Sequence, residues 1–175
     1  MATTALYDYR GVVARAIVTA KLTGARSGWR ALGELLADRL GEDPPEVDAV
    51  TWVTTAASRR RRRGIDHAAV LAAAVGTRLE VPVVALLEVR ARPGRPERFV
   101  ARTRLPGTEL LLVDDVLTTG RTLAAAAAEL RRAGAGNVRT AVIARAGSHE
   151  LGPLPAVERT SADGAERHDL GRPAS

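Results

Sequence analysis

Residues Leu110 to Thr122 read LLLVDDVLTTGRT. An apolar run meets two adjacent aspartates, and a Thr/Gly-rich turn then opens into an alanine-rich segment. A strand that is apolar without interruption is buried on both faces, the habit of a parallel sheet covered by helices. Residues Thr122 to Ala133 continue as a helix, and Gly134 and Gly136 supply its stop. The stretch is therefore a strand–turn–helix unit. It delivers two carboxylates and a tight turn to the carboxyl end of a strand, where ligands sit in open α/β sheets.

Strands and helices alternate on either side of this unit. Apolar residues at helical spacing predict a helix over Tyr9 to Lys21 and another over Trp29 to Leu40, which Gly41 and Pro44–Pro45 end. Asp48 to Thr54 (DAVTWVT) is β-branched and apolar, as in a buried strand. Ile65 to Leu79 reads as a third helix, Val83 to Val89 as a second strand and Val138 to Ala144 as a closing strand. Arg90 to Arg104, rich in arginine and proline, reads as a mobile or liganded loop. The whole predicts an α/β domain over residues 1–146, with a parallel sheet flanked by helices. From Gly147 to Ser175 the chain is polar and aperiodic, and a weakly ordered tail is expected.

Composition sets limits. With no cysteine, disulfides and cysteine-ligated metal sites are excluded, and a cytoplasmic setting is compatible. No run of about 18 apolar residues occurs, so no membrane span is expected. The net charge is +6. That sign invites phosphates or nucleic acid. Lys21 is the only lysine among the bases, however, and so arginine-rich a chain also fits a composition bias. Both readings stay open.

The chemistry of the central stretch points to a phosphate ester of a sugar. A glycine turn aims several backbone N–H groups at one spot, and the following helix adds its unsatisfied amides and positive dipole end. Thr118, Thr119 and Thr122 add hydroxyl donors. Gly120 leaves room for close approach, and Arg121 adds charge. Asp114 and Asp115 would repel that anion unless they faced hydrogen-bond donors, and sugar hydroxyls are such donors. A capped helix after a buried strand needs one Asp or Thr, not two acids followed by three threonines and a glycine. A ribose 5-phosphate group fits the set.

These residues resemble the phosphoribosyl pyrophosphate (PRPP) signature of type I phosphoribosyltransferases. More narrowly, the chain resembles the ComF group, amidophosphoribosyltransferase-like proteins associated with DNA uptake. Three further stretches carry the narrower likeness: Lys21 to Gly24 (KLTG), Thr51 to Ala72 (TWVTTAASRRRRRGIDHAAVLA) and Val138 to Arg145. The resemblance covers roughly residues 6 to 146. It implies a type I phosphoribosyltransferase-like fold in which Asp114 and Asp115 hold the ribose hydroxyls and Thr118, Thr119, Gly120, Arg121 and Thr122 hold the 5-phosphate. The loop of Thr55, Ala56, Ala57 and Ser58, with Arg59 and Arg63, would face the pyrophosphate. Mg²⁺ would arrive on the pyrophosphate of PRPP and take no direct protein ligand, as suits a hard cation that keeps its waters.

The chain departs from the family in lacking a zinc ribbon, in carrying Ile65 and His67 within RGIDHA, and in a shortened segment before Phe99-Val100-Ala101-Arg102. A trimmed cover predicts PRPP or ribonucleotide binding by a weak or inactive transferase. The other class is a module that keeps the fold and binds single-stranded DNA through arginines near the cleft. Arg59 to Arg63 suit pyrophosphate, nucleic acid or plain solvent. Lys21 suits a phosphate or a surface helix end. A capping or surface role is expected for His67, and core positions for Trp29 and Trp52. His149 and His168 carry no metal-binding spacing. Such folds often pair, so a homodimer is a further expectation.

Overall fold

The computed structural model describes residues 3–54, 65–92 and 95–147. The chain runs β1 (Thr3–Asp8), α1 (Gly11–Thr23), α2 (Arg26–Gly41), β2 (Ala49–Trp52), α3 (His67–Leu79), β3 (Leu87–Arg92), β4 (Arg95–Ala101), β5 (Glu109–Leu117), α4 (Arg121–Arg132) and β6 (Asn137–Arg145). Four strands form one sheet in the order β1-β6-β5-β2, and every pair in it is parallel. β3 and β4 form a separate antiparallel pair.

The continuous apolar run of β5 explains the layering. Successive side chains on a strand point to opposite faces. Leu111 and Val113 enter one core, with Ile17 of α1, Trp29 and Leu36 of α2, and Leu71 and Val75 of α3. Leu110 and Leu112 enter the other, with Leu123, Ala126, Ala127 and Leu130 of α4 and with Leu87 of β3. Three helices thus cover one face, while α4 and the β3–β4 pair cover the other. This is the helix-flanked parallel sheet expected from the sequence. No helix among the described residues is long and apolar enough to cross a membrane.

Four elements differ from expectation. Residues Thr3–Asp8 form an edge strand paired with β6. None of its positions is fully buried, so it lacks the apolar run that marks the central strands. The strand expected over Val83 to Val89 is reduced. Val83 makes a single bridge to Val50, with the Val50 N–H donating to the Pro82 carbonyl at 2.8 Å and the Val84 N–H donating to the Val50 carbonyl at 2.9 Å. Proline cannot donate to a ladder and is confined to edges. Regular pairing resumes only at Leu87.

The third difference is the segment Arg90 to Arg104. It is not a loop throughout, because its first part belongs to the β3–β4 pair, where Val89 faces Phe99 and Arg90 faces Arg98. The Ala101 N–H donates to Glu129 Oε1 of α4 at 2.9 Å, tying the pair to the helix. Charged residues along one side masked a period of two.

The fourth is His67, which is neither a cap nor a surface residue. It is buried and stacks on Trp29, the ring centroids 4.6 Å apart. The cap of α3 is Asp66, which accepts the Ala69 N–H. Trp29 is fully buried, as expected, whereas Trp52 is half-buried. Apart from Gly147, the expected tail lies outside the described residues.

Candidate functional site

β5 does not stop at the aspartates. It continues through them to Leu117, with Asp114 opposite Val142 and Leu117 opposite Arg145 on β6. The extended backbone therefore sends the two carboxylates different ways. Asp115 shares the parity of Leu111 and Val113, whose face is covered by α1, α2 and α3. There its Oδ2 meets the Nζ of Lys21, in the last turn of α1, at 2.9 Å. Asp114 turns its Oδ1 back to accept the Asp115 N–H at 2.9 Å.

The electrostatics of the pair are unequal. Asp114 is pushed up to about 7, first by burial and then by the neighbouring charge of Asp115. The Asp115 N–H and the Lys21 charge pull it down, and Asp66 raises it further. Asp114 can therefore gain or lose a proton near neutral pH. Asp66 enters from the start of α3, its Oδ2 accepting the Trp52 indole N–H at 3.3 Å. Neither Asp66 nor the Lys21–Asp115 contact was singled out as site chemistry from the sequence. The signals available were the Asp of RGIDHA and the singleness of Lys21.

The bend after β5 is open. Thr118, Thr119, Arg121 and Thr122 are exposed, and Gly120 is half-buried. The Leu117 carbonyl accepts the Ala146 N–H at 2.8 Å, fixing the start of the bend to the end of β6. Gly120 adopts φ 73, ψ −5 and makes no side-chain cap for α4. The Ala124 N–H donates to the Gly120 carbonyl at 2.8 Å as the helix begins. The amides before it have no intrahelical acceptor, because a helix leaves its first N–H groups without one. The arrangement presents N–H groups, threonine hydroxyls and the positive end of a helix together, suiting an anion with several oxygens.

β2 ends beside the acid pair, where the Val53 N–H donates to the Val113 carbonyl at 3.0 Å. The loop beyond it (Thr55, Ala56, Ala57, Ser58, Arg59 and Arg63) lies outside the described residues, as do His149 and His168. Of the sequence-predicted residues, the structure places Asp114, Asp115 and the 118–122 bend along one stretch at the carboxyl ends of β5 and β6, and it adds Lys21 beside Asp115. A cavity of about 390 Å³ lies elsewhere, lined by Thr4, Asn137 and Arg131 among others. Thr4 and Asn137 mark the amino ends of β1 and β6, away from the acid pair. No group of three or more His, Asp or Glu arranged to hold a metal occurs among the described residues.

Comparison with known proteins shows the family. Residues 64–159, more than half of the chain, match the family described as "Phosphoribosyl transferase domain". An adenine phosphoribosyltransferase of Mycolicibacterium paratuberculosis is 37% identical over 134 residues, covering 63% of this chain and 74% of the relative. A second adenine phosphoribosyltransferase, from Mycobacterium avium, aligns with the same identity and coverage. Among solved structures, the glutamine PRPP amidotransferase of B. subtilis superposes with a TM-score of 0.52 at 23% identity. That match covers 67% of this chain and 26% of the larger protein, a likeness of fold.

Proposed function

The chain belongs to the phosphoribosyl transferase domain family, and on that footing we propose that it binds PRPP at the end of β5 and transfers its phosphoribosyl group to a nitrogenous acceptor. The observation that carries this reading is the pairing of an acid pair with an open, uncapped bend five residues long. Asp114 and Asp115 accept hydrogen bonds from the ribose hydroxyls. Thr118, Thr119, Gly120, Arg121 and Thr122 surround the 5-phosphate. Thr55, Ala56, Ala57, Ser58, Arg59 and Arg63 are assigned to the pyrophosphate, with Mg²⁺ carried on its oxygens.

In this reaction the anomeric C–O bond to pyrophosphate breaks, and a new bond forms from the acceptor nitrogen, which then loses its proton. Positive charge grows on the anomeric carbon and ring oxygen, while negative charge grows on the leaving pyrophosphate. The protein's part is to hold the sugar still and to place charge where it develops. A carboxylate pair beneath the ribose does both. The β3–β4 pair, tied to α4 through Glu129, stands in the segment where the family resemblance expects a cover, and turnover slower than binding is the expected consequence.

Adenine is the first acceptor to test, because the two curated relatives carry that name. The narrower ComF reading, with a role in DNA uptake, draws support from Lys21 of the KLTG stretch, which lies at Asp115.

Calorimetric titration of PRPP with Mg²⁺ tests the proposal. Saturable heat is expected from the wild type and none from Asp114→Ala/Asp115→Ala, with short single-stranded DNA failing to compete. Equal heats from the two proteins would refute it. Release of pyrophosphate on adding adenine to the PRPP-loaded protein tests the acceptor separately.

A further inference from the structure

Among the described residues, the cation that touches the acid pair is not an arginine. It is the single lysine of the chain. Its position is built. Ile17, one turn earlier on α1, is buried. The carbonyl of Ala20, next to Lys21, accepts the Trp29 indole N–H at 3.2 Å. It also accepts the N–H of Gly24, which closes the helix in a left-handed conformation with φ 63. Trp29 is fully buried. The end of α1 is thus pinned to α2, and the Lys21 side chain leaves from a fixed point. The ammonium and the Asp115 carboxylate are mostly shielded, with side-chain exposures of 29% and 18%.

We propose that Lys21 is a positioning residue for the ribose of PRPP, acting through Asp115, whose Oδ2 it holds so that the second oxygen stays turned to a sugar hydroxyl. This rests on the PRPP reading of the site. The reason is electrostatic. Three carboxylates gather here, Asp66, Asp114 and Asp115, and the arriving ligand is itself a polyanion. One ammonium in direct contact cancels part of that repulsion at short range, where water screens it least. It also fixes one rotamer of Asp115, so less freedom is lost when the sugar binds.

A simple surface ion pair between helix and strand would contribute little to anything. The two roles separate experimentally. The full-length protein and its Lys21→Met, Lys21→Gln and Lys21→Arg variants are titrated with PRPP and Mg²⁺ by calorimetry. The Asp114 carboxyl is followed against pH by carbon NMR without ligand. The groups that set its midpoint are Asp115 on its own strand, Lys21 from α1 and Asp66 from the start of α3.

Positioning predicts that both neutral variants bind PRPP at least about tenfold more weakly, the scale of one charge-assisted hydrogen bond. Their Asp114 midpoint moves to higher pH, and Lys21→Arg recovers most of both properties. Lys21→Gln keeps the length of the side chain and serves if Lys21→Met fails to fold. PRPP affinity within twofold of wild type in a folded neutral variant, or an unmoved Asp114 midpoint, would overturn the inference while the PRPP reading stood. No PRPP binding by the wild type would overturn both.

Discussion

Lys21 Nζ stands 2.9 Å from Asp115 Oδ2, so the end of α1 is bonded to the carboxyl end of β5. That contact gives the two neighbouring aspartates different work. Asp115 is in contact with a cation. Asp114 has burial and a charged neighbour, and holds its proton to about 7.

Stability should therefore depend on pH in a particular sense. An unfolded Asp114 titrates near 3.8, and the folded one near 7. Between those values the native state binds the extra proton, so stability is full on the acid side and falls as pH rises from about 4 to about 7. Asp114→Asn removes the titration. Urea unfolding of both proteins across that window checks it: the advantage of the wild type over the variant should shrink steadily with rising pH. Curves that stay parallel would show that Asp114 titrates alike in both states.

Gly120 is the hinge of the bend, at φ 73. A Cβ there would lie 3.3 Å from Leu117 Cδ1 and, on the proposed reading, would crowd the 5-phosphate. Gly120→Ala should cost about 1–2 kcal/mol of stability from the left-handed backbone. Its PRPP affinity should fall by at least about tenfold. Melting and calorimetry on one preparation would separate the two effects, and unchanged affinity would place the phosphate away from this turn.

Two glycines of α2 should answer oppositely to alanine. A Cβ on Gly33 would meet Ala74 Cβ at 2.7 Å and the Leu71 carbonyl oxygen at 3.0 Å, where α2 and α3 press together. A Cβ on Gly28 would meet nothing within 4 Å. Gly33→Ala should destabilise by about 1–3 kcal/mol through overpacking. Gly28→Ala should stabilise by up to about 1 kcal/mol through helix propensity. Denaturant midpoints of the two variants would decide, and a shift of the same sign in both would contradict the close α2–α3 contact.

How far the sequence reached depends on whether information was local. LLLV implied burial on both faces, and Leu110 to Val113 indeed divide alternately between two cores. The acids and the threonine bend were legible because one short stretch holds them all. β1 was not, because an edge strand with no buried position has no apolar signature. The β3–β4 pair was hidden by arginines and prolines, although Val89 and Phe99 face each other across it. His67 gave no hint of burial, since its partner Trp29 lies on another helix. Lys21 and Asp115 sit in α1 and β5, and only the folded sheet shows that these meet. Long-range pairings of this kind leave no periodicity to read.

A pentose phosphate should sit where β5 meets α4, and a crystal structure with PRPP and Mg²⁺ would show it. Ribose hydroxyls are expected within hydrogen-bond distance of Asp114 and Asp115, and the 5-phosphate on the amides and hydroxyls of residues 118–122. PRPP bound elsewhere, with that bend and the acid pair untouched, would contradict this placement.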